Sequence, residues 1–315
     1  MFNLDTKLPE TSAFVHLHLL NGGSMTAKYH KLHAGERAEE FRLYNWAFFI
    51  RHPTKQRNVV WDLGMSSNPE DFPPVIGNGV IQVAKILDPK ESIVCQIQRR
   101  TGVRAEEVDT VLLSHAHFDH CRPIIPLFPN ATAHFGPGTS EFCAPGHLSD
   151  PSSPWDGRFF DPKNATERWS TLRGPWVPFG PFEAAMDFFG DGSFWIVQAP
   201  GHMPGNLAAC ARLESGEWVM LGSDCCHSRS LLDGSKEIAT FEVPGGGVGC
   251  LHMDIRAARD TLSRMRVMER ECGVHVALAH DASWMLEEKE SVLMSLLDKE
   301  FKRDIRRALP KQEPF

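Results

Sequence analysis

Val111-Leu112-Leu113-Ser114-His115-Ala116-His117-Phe118-Asp119-His120 is an apolar run that delivers His-x-His-x-Asp-His. The run follows the polar turn Glu106-Glu107-Val108-Asp109 and reads as a buried strand opening into a loop at the histidines. Such a place is both rigid and accessible. On extended backbone His115 and His117, two apart, project the same way. Asp119 and His120 follow on the turn and can face a second ion. Neutral imidazole and carboxylate at this density are what a borderline divalent ion selects, so one short loop can serve two metals.

The rest of the composition sets bounds. With 315 residues and 42% hydrophobic content the chain can bury a large core. Its net charge of −7 lacks the clustered basic excess that phosphate backbones require, which excludes a nucleic-acid partner. A basic patch at Lys302, Arg303, Arg306 and Arg307 falls at helical spacing and reads as a solvated helix face. Met1 to Glu10 shows no charged-then-apolar leader, and no segment approaches the roughly eighteen apolar residues of a membrane span. Eight scattered cysteines (95, 121, 143, 210, 225, 226, 250, 272) suit reduced thiols, so a cytoplasmic location is expected. The oligomeric state is left open.

Along the chain, Phe14 to Ala27 reads as a strand turning at Gly22-Gly23, with His16 and His18 on one strand face. Phe41 to Gly64 reads as a strand, a polar turn from His52 to Asn58, and a strand ending on Asp62. The form returns from Asn206 to Asp224. The asparagine-to-aspartate offset is 17 residues in one copy (45 to 62) and 18 in the other (206 to 224), which suggests an internal duplication. Val80 to Leu87 and Ser92 to Gly102 have helical spacing, as do Leu251 to Cys272 and Ser283 to Leu309. Ala131 to Phe135 suggests a short strand and Thr139 to Cys143 a short helix. Residues 147–182, with many aromatics and no clean period, read as a lid or binding loop set into a single domain spanning 1–315. Strands and helices in this order predict two sheets packed face to face with helices outside.

Three further polar residues stand at strand ends or in glycine-flanked turns: His202 in Pro200-Gly201-His202, Asp224 after Leu221-Gly222-Ser223, and His280 after Ala277-Leu278-Ala279. With the central motif they supply five imidazoles and two carboxylates, enough for two ions sharing one carboxylate and a water. The order His-x-His-x-Asp-His, Gly-His, Asp, His resembles the metallo-β-lactamase superfamily, and most closely its N-acyl homoserine lactonases. That resemblance implies an α/β, four-layer αββα sandwich. It also implies that His115, His117 and His202 hold one ion, that Asp119, His120 and His280 hold the other, and that Asp224 bridges. The expected cofactors are two divalent ions, zinc first, and the expected activity is opening of a cyclic ester or amide by a metal-bridging hydroxide.

The lactonases usually carry a tyrosine three residues after the bridging aspartate; here His227 stands there. As a donor to the developing oxyanion it would share the catalytic role with Asp119, which orients the nucleophile and protonates the leaving group. Asp62 is expected to hold a ligand imidazole in its tautomer. Phe118, Trp155, Trp169 and Trp176 are expected to wall a pocket for a small-molecule substrate. The rival activities are opening of a lactam or cyclic carbamate, thioester hydrolysis, and an iron-dependent oxidoreductase on the same fold. The last is disfavoured because its di-iron members resemble His-x-Glu-x-Asp, whereas position 117 is histidine. A coenzyme A arm brings several negative charges, and near the motif Arg122 is the one adjacent cation.

Overall fold

The computed structural model describes residues 7–243 and 245–315. Of the amino-terminal stretch read above as lacking a leader, residues 1–6 lie outside the described residues. Two compact units are present. The first comprises His16–Thr26, Tyr44–Arg173 and Ser295–Phe315; the second comprises Ala27–Leu43, Gly174–Met294 and the stretch ending at Val15.

One six-stranded sheet runs in the order β1 (His16–Lys28), β2 (Glu40–His52), β3 (Arg57–Trp61), β4 (Thr110–Leu112), β5 (Thr132–Phe135), β6 (Trp169–Thr171). β2 and β3 form the expected hairpin, antiparallel from Phe48↔Trp61 to His52↔Arg57. β4 then joins β3 in parallel, which aims the carboxyl end of both strands the same way and places Asp62 beside the start of the histidine motif. Both strands are fully buried at that end, as parallel pairing demands. The helix Ile93–Thr101 starts where Ser92 Oγ accepts from Cys95 N (3.2 Å) and stops at Gly102, with φ +75°.

The expected turn at Gly22-Gly23 does not occur: β1 continues unbroken from His16 to Lys28. The two glycines serve close approach instead. Met65 N donates to Gly22 O at 2.7 Å, and a Cβ on Gly64 would lie 2.5 Å from the Gly22 backbone. Ser24 bridges to Leu87, where a Cβ on Gly23 would meet the Leu87 carbonyl at 2.8 Å. Glycine within a strand can mark such a close backbone approach as well as a bend. The expected helix at Val80–Leu87 is also shifted, to a π turn at Ile76–Val80 followed by Ile81–Ala84.

The second unit holds the other six-stranded sheet: β7 (Val177–Phe179), β8 (Phe182–Asp187), β9 (Phe194–Gln198), β10 (Leu207–Arg212), β11 (Trp218–Ser223) and, after the small hairpin β12 (Phe241–Glu242) and β13 (Val248–Gly249), β14 (His275–Leu278). Their order is β14-β11-β10-β9-β8-β7. β10 and β11 are the predicted second hairpin, and β14 joins β11 in parallel as β4 joins β3. The helix Ile255–Arg270 buries Leu262, Met265 and Met268 in the core of this unit. It starts four residues later than the periodicity indicates, because Asp254 takes the cap and accepts from Ala257 N at 2.9 Å.

Residues 147–182 are not one loop. They contain the helix Gly157–Phe160, the edge strand β6 and strand β7, and are divided between the two units at Arg173. On the helix Lys299–Ala308, Arg303 pairs with Glu300 at 3.1 Å and Arg307 with Asp304 at 3.6 Å, as a solvated face should. Among the described residues no helix is long and apolar enough to cross a membrane. All eight cysteines are free thiols.

Two outcomes test this account. Gly64 sits at φ +69° against the Gly22 backbone, so Gly64→Ala combines left-handed strain with a clash that no side chain can relieve. Urea unfolding should show a loss of about 3 kcal/mol or more; a loss below about 1 kcal/mol would refute the close-approach account. His18, half-buried and stacked on Phe49 at 6.1 Å, has its pKa pulled from 6.5 to about 4, first by burial and then by Arg100. The unfolded chain takes up this proton near pH 6.5 and the folded protein only near 4, so stability is complete above 6.5 and declines as pH falls toward 4. His18→Phe should flatten the stability difference between those two pH values by at most about 3 kcal/mol, read as the change in urea-unfolding free energy relative to wild type.

Candidate metal centre

In the first unit the site begins with a buried carboxylate. Asp62 follows β3 with φ +58° and is wholly inaccessible to solvent. A buried carboxylate must be bonded on both oxygens. Its Oδ1 accepts from Ser114 N (2.7 Å), while Oδ2 accepts from Ser114 Oγ (2.8 Å) and from His120 Nδ1 (2.9 Å). The serine hydroxyl has one proton, spent on Asp62, so at 3.0 Å it accepts from His115 Nδ1. Both histidines are thereby fixed with Nδ1 protonated and Nε2 offered as the ligand atom. Asp62 performs the orienting role expected of it, and for two imidazoles rather than one.

The loop is closed on itself by His120 N and Cys121 N donating to His117 O (3.0 and 2.8 Å). Asn45 Nδ2 donates to Asp119 O at 2.8 Å, and Leu63 N to His120 O at 2.9 Å. These bonds bring His115, His117, Asp119 and His120 into one cluster. The His115 and His117 rings lie 4.7 Å apart, and Asp119 Oδ2 is 3.6 Å from His120 Nε2. Trp155 stacks on His117 (5.8 Å, 17°) and Phe118 packs edge-on against Phe72 (6.2 Å). Trp169 instead packs against Phe135 and Phe160, within the aromatic cluster along β5 and β6. Arg122 reaches Leu63 O and Asp71, and burial lowers its pKa.

In the second unit the same logic gathers residues from three strand ends. β9 leads to Gly201, whose φ of +132° and contact with the Ala258 backbone admit no side chain; His202 follows. β11 ends at Ser223 with φ +41°, which turns Asp224 inward, and β14 ends two residues before His280. Asp224 Oδ1 lies 3.2 Å from His280 Nε2, while Oδ2 lies 3.5 Å from His202 Nε2 and 3.2 Å from His227 Nε2. All four side chains are buried. Trp176, the remaining expected wall residue, is half-buried beside β7 in this unit.

One residue here was missed by the sequence reading. His252 is buried, its ring 5.3 Å from His202 and 5.2 Å from His227. Met253 N donates to His202 O and Asp254 N to Gly201 O (3.0 and 2.9 Å), which stitches its segment to the His202 turn. Its sequence setting, Cys250-Leu251-His252-Met253-Asp254, ends no apolar strand. The available signal was the helix cap at Asp254, which shows that residues 250–254 precede the helix.

Residues 41–123 match the model of the metallo-beta-lactamase superfamily. It is 33% identical over 201 residues to the metallo-hydrolase mfmC of Annulohypoxylon moriforme, covering 59% of this chain and 49% of that protein. To the gamma-lactamase FDB1 of Fusarium pseudograminearum (strain CS3096) it is 29% identical over 197 residues, 58% and 45% of the two chains. A solved N-acyl homoserine lactone hydrolase, with the product N-hexanoyl-L-homoserine bound at its catalytic metal center, superposes with a TM-score of 0.63 at 15% identity, over 89% of this chain and 96% of that one. That likeness shows the fold, which is the one the motif implied. The chain spans about half the length of mfmC and 28–30% of three other curated relatives.

Because Asp62 fixes the tautomers of two histidines, Asp62→Asn should weaken zinc binding by roughly 10- to 100-fold in a chelator competition assay. Unchanged zinc affinity in a folded Asp62→Asn protein would refute that role.

Proposed function

We propose that the protein is a metal-dependent hydrolase that opens a cyclic ester or amide and holds two divalent ions, zinc first. The observation that carries this reading is the Asp224 carboxylate, whose two oxygens face different imidazoles at 3.2 and 3.5 Å. With metal to nitrogen or oxygen distances of about 2.0–2.2 Å, two donors at a tetrahedral angle stand roughly 3.3–3.6 Å apart. The donor separations within each unit, 3.2 to 3.6 Å, fit that spacing. Buried imidazoles and carboxylates, with the outer nitrogen of His120 held by Asp62 and that of His115 by Ser114, suit zinc better than a hard, oxygen-seeking ion. In this reading Asp224 bridges, His115, His117 and His202 serve one ion, and Asp119, His120 and His280 the other.

Ions bound there supply a hydroxide at neutral pH and polarise a substrate carbonyl. The chain's own part is positional. Asp119, held through its backbone by Asn45, takes a proton from the attacking water on its carboxylate and returns it to the leaving alkoxide or amine. Trp155, stacked on His117, and Phe118 give an apolar wall that binds a small substrate without asking for charge. Opening of a lactam or cyclic carbamate is the second reading, favoured by the likeness to a protein named gamma-lactamase. The net charge of −7 and the occupation of Arg122 by Asp71 and Leu63 O weigh against a coenzyme A thioester. Eight free thiols suit a reducing, cytoplasmic setting.

The test is hydrolysis of a panel of lactones, lactams, cyclic carbamates and thioesters by zinc-loaded protein, together with its metal content. Two zinc ions per chain, ring-opening turnover and its loss on chelation are expected. Stoichiometry held at one under zinc excess would end the dinuclear reading. Turnover of coenzyme A thioesters a hundredfold above every lactone and lactam would end the ring-opening one.

A further inference from the structure

We infer that His227 is a metal ligand, completing with His202 and the Oδ2 oxygen of Asp224 a two-histidine, one-carboxylate site within the second unit. This assignment rests on the dinuclear reading above and changes the role expected for His227, from hydrogen-bond donor toward the substrate carbonyl to ligand.

Distance is the first argument. Nε2 of His227 stands 3.2 Å and Nε2 of His202 3.5 Å from the same carboxylate oxygen, and the three ligand atoms lie within 4.8 Å of one another. Donors on one zinc stand roughly 3.3–3.6 Å apart at a tetrahedral angle and somewhat closer once a fifth ligand joins, so the triad accepts one ion with little rearrangement. An oxyanion donor has a different requirement: its N–H must point at the substrate. Here the nitrogen is directed at Asp224. Once a cation occupies the Oδ2 side, an Nε2–H proton would face that cation, whereas an Nε2 lone pair would bind it.

Rigidity is the second argument, because a ligand must be held where a flexible donor need not be. Ser228 is extended (φ −160°, ψ 156°), and its Oγ caps the helix Arg229–Asp233 by accepting from Leu231 N at 3.3 Å. The same hydroxyl is bonded to His33 Nε2 at 2.8 Å. The His227 ring lies parallel to the His280 ring (5.7 Å, 10°), and it also meets the His252 ring at 5.2 Å. His252 also touches His202, so a single buried ring backs both proposed nitrogen ligands. A tyrosine at 227 could supply a hydroxyl but would not fill this place as a neutral nitrogen ligand. The chemical consequence is that the ion beside His202 carries an additional imidazole, and the developing oxyanion depends on the ions rather than on a protein N–H.

Cobalt titration of the metal-free full chain tests this without reference to turnover, with d–d absorption reporting coordination and far-ultraviolet circular dichroism reporting the fold. Wild type should take up two Co2+. His227→Ala should bind one of them at least tenfold more weakly and with an altered d–d spectrum, as His202→Ala does, and His227→Tyr should not restore it. Unchanged affinity and spectrum in His227→Ala overturn the inference while leaving the dinuclear reading intact; a wild type that binds no Co2+ overturns both. Should the variants fail to fold, nitrogen-15 spectra of the zinc-loaded wild type decide: His227 protonated at Nδ1 supports ligation, and His227 protonated at Nε2 overturns it.

Discussion

The rest of the first unit depends on a charge that has no contact with water. Asp62 is ionisable, buried, and held at φ +58° at the end of β3. Desolvation of a carboxylate costs several kcal/mol unless each oxygen is bonded. Its bonds come from Ser114 and His120, more than fifty residues away, so they exist only when β4 has paired with β3 in the Trp61↔Leu112 register. A slip of one residue would break these bonds and turn the histidines to the other face. Register, tautomer and ligand direction are therefore one constraint, and Gly22 and Gly64 allow the backbones to approach closely enough to meet it.

The second unit reaches a similar arrangement with different residues. Each unit has a hairpin whose second strand runs out at a residue of positive φ, Asp62 in one and Ser223 in the other, and a parallel third strand followed within three residues by a histidine. Asn45 holds the Asp119 carbonyl, and its counterpart Asn206 holds the Ala199 carbonyl at 2.7 Å. These pairs support the internal duplication suggested by the two asparagine-to-aspartate offsets. The copies differ in which aspartate carries the chemistry. In the first, the strand-end acid turns away to orient histidines; in the second, the bulge between Leu221 and Ser223 brings Asp224 itself among them.

Legibility in the sequence followed the strength of local rules. The histidine motif, both hairpins, the helix capped by Ser92 and ended by Gly102, and the strand ends at Asp224 and His280 were readable because each combines a period with a terminating residue. Gly22-Gly23 was misread because a glycine pair signals a turn and a close crossing equally, and the partner strand at Gly64 is not visible locally. The aromatic stretch 147–182 was read as one unit because it lacks a period; its short strands β6 and β7 are set by their partners β5 and β8, far along the chain. His252 was missed for the same reason, since its place is fixed by backbone bonds to Gly201 and His202 and not by any pattern around it.

That difference bears on how specificity is encoded. The proposed ligands stand at strand ends and in the turns just beyond them, where backbone hydrogen bonds leave little freedom, and a substitution there disturbs the fold and the site together. Trp155, Phe118 and His252 reach the clusters from loops and helix approaches, where contacts are made by side-chain packing. Loops carry fewer obligatory backbone bonds and tolerate exchange. A scaffold of this kind can keep its metal geometry while the surrounding rings change, and the stacking of Trp155 on His117 shows how directly such a ring can bear on a ligand. In the proposed reading, substrate choice is thus physically separable from metal binding in the first unit. In the second unit the position where the lactonase pattern has a tyrosine is filled by His227, whose Nε2 lies 3.2 Å from Asp224 Oδ2 and which we infer to be a ligand rather than a substrate contact.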